Sequence, residues 1–212
     1  MKNLIFVVLL MLVIPVSVSA YWECSSELNV SCAGMRVSCC PKGDFEHIRN
    51  GCGGSDDYIE VIVKDYWGNA VSGIPWTDYW INACLPEHEL HLCVQHIVAD
   101  SLTGSNGRTT FSGRMSVGGC IPEGGIWMAV QGITLRDEET CIAPICADVV
   151  IVSPDINADG FVNLSDLSMF AEAYNTQEGA AAFNTCCDYN DDGSCDLSDF
   201  AYLGQHYQHE CF

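Results

Sequence analysis

Two stretches of the sequence carry oxygen donors at a fixed rhythm. Asp155, Asn157, Asp159, Asn163 and Asp166 stand at positions 1, 3, 5, 9 and 12 of a twelve-residue segment, with Gly160 at position 6. Asp188, Asn190, Asp192, Asp196 and Asp199 repeat that order, with Gly193 at position 6. Calcium is a hard cation that takes six to eight oxygen ligands, and such a loop supplies them around a sharp glycine turn. Position 7 donates through its main-chain carbonyl, so Phe161 and Ser194 complete the two sets. The expectation is two Ca2+ ions, one per loop, with Mg2+ a weak competitor. Position 12 is Asp in both loops, a shorter ligand than the Glu of a standard EF-hand.

The charge around these loops supports bound cations. From Ser153 to Phe212 there are 11 Asp and Glu residues and no Lys or Arg. A compact unit with that imbalance repels itself unless cations offset it. Disorder is disfavoured because Phe161, Leu164, Leu167, Phe170, Tyr174, Phe200, Leu203 and Tyr207 supply apolar surface. Two Ca2+ ions would bring the formal charge of the unit from about −11 to about −7.

The elements that position the donors follow from periodicity. Residues 155–174 align with 188–207 at a spacing of 33, with 8 of 20 positions identical, so one supersecondary unit occurs twice. Leu164, Leu167, Phe170, Ala171 and Tyr174 make one helical stripe, and Leu197, Phe200, Leu203, Gly204 and Tyr207 make another. Ser153-Pro154 forbids a helix before the first loop, and no convincing helix precedes the second. The unit reads as loop-then-helix, with Val162 and Cys195 pointing inward between paired loops.

The pattern Asp-x-Asn-x-Asp-Gly-x-Val-Asn-x-x-Asp-Leu fits Asp155 to Leu167, and the second repeat fits except at Cys195, Asp196 and Phe200. Residues 153–212 thereby resemble a type I dockerin. The resemblance implies a small two-helix fold held by two Ca2+ and a role in docking onto cohesin modules of extracellular assemblies. It places partner recognition at loop positions 10 and 11, here Leu164-Ser165 and Leu197-Ser198. The same dipeptide twice would permit two docking orientations. The helices depart from the family in carrying Glu172 and Gln205 where a basic residue is often found, and Cys186, Cys187, Cys195 and Cys211 are atypical. For these four cysteines the expectation is one bridge from Cys186 or Cys187 to Cys211 and another from the remaining one to Cys195.

The front of the chain reads as an exported protein. Lys2 and the apolar run Leu4 to Val18 precede Val18-Ser19-Ala20, a secretory signal cleaved after Ala20. The run is short of the roughly 20 residues a membrane span needs, so no span is expected in the mature form. All 14 cysteines follow the signal, which points to disulfides. The formal net charge of −20 excludes nonspecific nucleic-acid binding, which needs a basic face.

Four regions follow: a signal over 1–20, a Cys-rich lead-in over 21–56, a β region over 57–152, and the dockerin-like calcium-binding module over 153–212. Tyr58 to Lys64, Ile126 to Val130 and Asp148 to Val152 read as strands between turn signals, the mark of a disulfide-rich antiparallel β-sandwich. Glu87 to Gln95 could hold a short helix. Val63 to Gly73 and Ser105 to Phe111 resemble bacterial immunoglobulin-like (Ig-like) repeats of surface proteins, which implies an Ig-like sandwich.

Catalytic patterns are wanting. His88-Glu89-Leu90-His91 lacks the i, i+4 histidine spacing of a helical zinc site. No Ser-His-Asp or Cys-His pattern stands out. Trp76 and Trp80 are candidate glycan-binding residues. The first reading is therefore a secreted, non-enzymatic calcium-binding protein whose module docks an Ig-like domain into an extracellular complex. The alternatives are a carbohydrate-binding component of a polysaccharide-degrading (catabolic) assembly, and a structural subunit of a fibre or layer that self-associates.

Overall fold

The computed structural model describes residues 24–32, 35–43, 48–49 and 58–211. The expected signal and its cleavage point after Ala20 lie outside the described residues, as does Cys52.

Alternating apolar residues build two facing antiparallel sheets. The first orders β1 (Glu27–Val30), β4 (Ile59–Ile62) and β7 (Arg108–Phe111). The second orders β10 (Ile133–Thr134), β9 (Ile126–Val130) and β5 (Tyr79–Ala83). Ile59 and Val61 on β4, Tyr79 and Ile81 on β5, and Ile126 and Met128 on β9 are buried in one core, as period-two alternation requires. Tyr79 meets Phe111 edge-on across the two sheets, with ring centroids 5.1 Å apart. Successive strands β4 and β5 lie in opposite sheets, the connectivity of an Ig-like sandwich.

Turn chemistry sets the strand ends. Asp65 Oδ1 accepts from the Trp67 and Asn69 main-chain N–H groups at 2.9 and 2.8 Å, an Asx turn. Before β7, Gly107 has a φ of 74°, and a Cβ there would lie 2.4 Å from the Val63 carbonyl oxygen, so only glycine fits.

Three features differ from the expectations above. Residues 27–30 and 35–38 do more than lead in. They form β1 and β2 (Met35–Ser38), and Leu28, Met35 and Val37 join the sandwich core. The sheet is also not purely antiparallel: β11 (Val149–Val152) runs parallel to β2, which in turn pairs with β3 (Ile48–Arg49). Strands so far apart in sequence need no tight hairpin, so parallel pairing is open to them. Residues 87–95 are not helical. They contain β6 (Leu90–Leu92), paired with β8 (Val117–Gly119). That long-range ladder overrides a weak helical propensity.

The C-terminal unit holds α1 (Leu164–Ala173) and α2 (Leu197–His206), with short strands β12 (Thr176–Gln177) and β13 (Ser194–Cys195). A 3-10 turn over Thr185–Cys187 precedes the second loop, a local element that the sequence reading lacked. Phe170, Tyr189, Leu203 and Ile156 form a second core that also takes in Cys40, Cys120 and Val152. The two halves thus share buried surface. Disulfides Cys24–Cys141 and Cys84–Cys146 pin the sandwich. Cys120–Cys186 and Cys93–Cys211 cross from the sandwich to the C-terminal unit. This corrects the expected pairing: Cys211 joins Cys93 and Cys186 joins Cys120, because the packed halves bring these cysteines together. Cys187 and Cys195 are buried side by side as thiols, with a hydrogen bond between their side chains. Among the described residues, no helix is long and apolar enough to cross a membrane.

Candidate metal centre

The two loops repeat one pattern of main-chain N–H groups donating to side-chain oxygens. In the first, Asp155 accepts from the Asp159 N–H at 3.1 Å through Oδ1 and from the Gly160 N–H at 2.9 Å through Oδ2. In the second, Asp188 accepts from Asp192 at 3.2 Å and Gly193 at 3.1 Å in the same way. Asp166 Oδ1 takes the Ile156 N–H at 2.8 Å, and Asp199 Oδ1 takes the Tyr189 N–H at 2.7 Å. Gly160 and Gly193 have φ of 87° and 78°, the left-handed turn that position 6 requires.

The last ligand positions also start the helices. Asn163 caps α1 by accepting from the Ser165 N–H at 2.7 Å, while Asp166 Oδ2 accepts from the Asn163 N–H at 2.9 Å. Asp196 and Asp199 do the same for α2. Each pair is a capping box, which fixes the helix start. One carboxylate therefore anchors both a loop and a helix.

These residues fit a divalent cation. Asp155, Asp166 and Asp199 have no exposed surface and Asp188 has 1%. Burial pushes the Asp155 carboxyl up to about 6, with repulsion from Asp166 and Asp159 adding to it. Burial likewise raises Asp166, Asp188 and Asp199. Buried carboxylates so placed gain from a positive charge among them. Ligand oxygens of Asp188, Asp192 and Asp199 all lie within 4.8 Å of one another. Oxygens around one Ca2+ at 2.3–2.6 Å are at most about 5 Å apart. The donors are oxygen throughout, as a hard cation prefers.

The loops do not pair with each other, contrary to expectation. Each pairs with the chain that follows the other helix. Thr176 and Gln177 pair with Cys195 and Ser194, and Phe161 bridges to Glu210. The Asn175 N–H donates to the Cys195 carbonyl at 2.7 Å, and the Gln208 N–H donates to the Val162 carbonyl at 2.8 Å. This exchange is a pseudo-twofold. Val162 and Cys195 are fully buried by it.

Each loop also rests on a strand of the sandwich. The Gly119 N–H on β8 donates to the Asp155 carbonyl at 2.6 Å. A Cβ on Gly118 would fall 1.8 Å from Asp155 Oδ2, so that glycine makes room for the Asp155 carboxylate. From β2, Arg36 donates to the Asp188 carbonyl, and Ser38 Oγ donates to the Tyr189 carbonyl at 3.3 Å. Arg36, Ser38 and Gly118 are not among the residues expected at the site. Nothing local marks them, since their contacts span more than thirty residues.

The helical stripes are only partly core. Phe170 and Leu203 are buried, but Leu164 and Leu197 are 69% and 67% exposed. Ser165 and Ser198 are exposed beside them. Leu167, Phe170, Ala171, Tyr174, Leu197 and Phe200 line an apolar groove of about 350 Å³.

Residues 153–206 match the family model described as the dockerin type I domain. This segment is a type I dockerin. No curated protein matches the chain. Among solved structures, the Escherichia coli adhesin FdeC shares 14% identity at a TM-score of 0.34, covering 63% of this chain and 32% of that one. This chain thus spans about a third of the adhesin's length. Two interface mutants of a type II cohesin–X-dockerin complex from Acetivibrio cellulolyticus share 16% and 15% identity. Their TM-scores are 0.28 and 0.27, covering 64% and 65% of this chain and 83% and 86% of those.

The remaining sequence candidates lie on the sandwich. Trp76 is 52% exposed before β5. Trp80 is half-buried on the outer side of β5, opposite Ala129. Tyr66 and Trp67, not singled out as a pair, are 57% and 79% exposed and in edge contact. His91 lies on strand β6, so the helical zinc-pair geometry does not arise there.

Proposed function

We propose that the chain is a secreted, non-enzymatic protein whose dockerin folds around two Ca2+ ions and docks an Ig-like domain onto a cohesin-like module. Asp155, Asn157, Asp159, the Phe161 carbonyl, Asn163 and Asp166 would hold the first ion. Asp188, Asn190, Asp192, the Ser194 carbonyl, Asp196 and Asp199 would hold the second. The observation that carries the docking reading is the matched exposure of Leu164-Ser165 and Leu197-Ser198, with Leu197 lining the apolar groove. Exposed leucines flanking a groove are unfavourable in water and favourable under a partner. The dockerin carries no Lys or Arg, so a basic rim on the partner would complement it.

The test is binding of the full chain to a panel of cohesin modules, with Ca2+ and with chelator. Binding should need Ca2+. L164A/S165A and L197A/S198A should each retain binding through the alternative orientation, and the combined variant should lose it. Failure of every cohesin, with calcium-dependent self-association in light scattering, would replace this reading by the structural-subunit one.

A glycan-binding role for the sandwich is favoured by the exposed Tyr66, Trp67 and Trp76. Polysaccharide pull-down with Trp76→Ala and Trp80→Ala controls tests it.

A further inference from the structure

Outside the calcium loops, sulfur and nitrogen donors converge where the sandwich meets the end of α2. Cys40 follows β2, His206 ends α2, and His209 lies three residues on. Cys40 Sγ is 3.3 Å from His209 Nδ1. His206 Nδ1 is 3.2 Å from His209 Nδ1. All three donor atoms lie within 4.8 Å of one another. We propose that Cys40, His206 and His209 form a binding site for one zinc-type transition-metal ion, which clamps the sandwich to the dockerin.

The spacing suits such an ion. With Zn–S near 2.3 Å and Zn–N near 2.05 Å, tetrahedral ligands sit about 3.3 Å apart for N···N and about 3.6 Å for S···N. An imidazole nitrogen offers either one N–H or one lone pair. His209 Nδ1 faces two partners and can pair in line with one of them. A cation at the centre engages all three donors together. Thiolate and imidazole donors prefer a zinc-type ion to calcium, so the site selects against the metal of the loops.

The donors are held in place before any ion arrives. Cys40 has no exposed surface and His206 has 8%. The Gly43 N–H donates to the Cys40 carbonyl at 2.8 Å. The Val162 N–H donates to the His209 carbonyl at 2.8 Å, and the Cys93–Cys211 disulfide ties the tail two residues later. His209 is only half-buried, so the fourth coordination position can open to water. The equivalents of His206 and His209 in the first repeat are Ala173 and Thr176. The cluster therefore stands apart from the twofold calcium machinery.

The experiment uses the full-length, disulfide-intact protein in excess Ca2+, titrated with Zn2+ and with Co2+ as a spectroscopic probe. One equivalent should bind, and the Co2+ form should show a thiolate-to-cobalt charge-transfer band with tetrahedral d–d absorption. His209→Gln removes a half-exposed ligand and leaves the core intact. It should weaken binding by more than the roughly 10–100-fold typical of outer-shell partners, and Cys40→Ser should abolish the charge-transfer band. His96→Gln, which removes a histidine outside the cluster, should change neither. Absence of saturable Zn2+ binding, unchanged binding in His209→Gln, or peptide mapping that finds Cys40 in a disulfide would overturn the proposal.

Discussion

The guanidinium of Arg36 lies 2.8 Å from the carboxylate of Asp191. The same side chain donates to the Asp188 carbonyl and lies 4.0 Å from the Asp188 carboxylate. A dockerin without a Lys or Arg of its own thus receives a cationic side chain from the sandwich. Arg36 is 7% exposed, so its charge acts with little screening by water.

That relationship predicts a metal-dependent stability loss. Arg36→Met should lower stability by about 1–3 kcal/mol in chelator, because a charged hydrogen bond is lost and Asp188 stays buried. With Ca2+ the loss should shrink, since the metal offsets the same carboxylates. Urea unfolding of the two proteins, with and without Ca2+, measures both. Equal losses in the two conditions would detach Arg36 from the metal loop.

Gly118 allows the two loops to be separated. In Gly118→Ala the new methyl would occupy the place of Asp155 Oδ2. Asp155 is tethered by the Asp159 and Gly160 N–H groups and cannot yield without leaving its ligand position. Calorimetry should find one Ca2+ bound in place of two, with the second loop retained. Two unchanged sites would count against the assigned first ligand.

Acid should release the metal. The Asp155 carboxyl is pushed up to about 6 by burial, and the carboxyls of Asp166, Asp188 and Asp199 are raised as well. A raised folded-state value favours the protonated carboxyl in the metal-free fold. In chelator, the stability that Asp155 contributes is full below about 4, the ordinary carboxylate value, and is lost as pH rises through about 6, with the other three carboxyls acting in the same direction. Calcium needs the ionised form, so its affinity should fall as pH drops through about 6. Opposite pH slopes of melting temperature with and without Ca2+ are the expected result.

The tail disulfide should tune the first loop. The Cys211 N–H donates to the Gly160 carbonyl at 2.9 Å, and Cys211 is bridged to Cys93. Removing the pair as Cys93→Ser with Cys211→Ser loosens that strand and should cost about 2–4 kcal/mol of stability. Calcium affinity should weaken at one site only. Affinity unchanged at both would show that the tail is irrelevant to the loop.

The two loop-and-helix units were legible because their coding is local. Twelve contiguous residues carry donors, turn glycine and helix cap, and Asn163 and Asp196 start helices where the spacing puts them. What those loops pair with was not legible. The exchange between loop and opposite tail links Phe161 to Glu210, and Arg36 meets Asp188 from 152 residues away in the sequence. Disulfide partners were hidden for the same reason. The helical stripes show a different limit. Apolar periodicity placed Phe170 and Leu164 on one face, but only packing distinguishes the buried ring from the exposed leucine.

Calcium titration of the purified, oxidised full-length chain by calorimetry, paired with melting curves, tests the account most directly. Two equivalents should bind, and at a thousandfold excess over the dissociation constant each ion should add about 4 kcal/mol of stability relative to chelator. No heat on titration, together with a melting curve that chelator leaves unmoved, would contradict it.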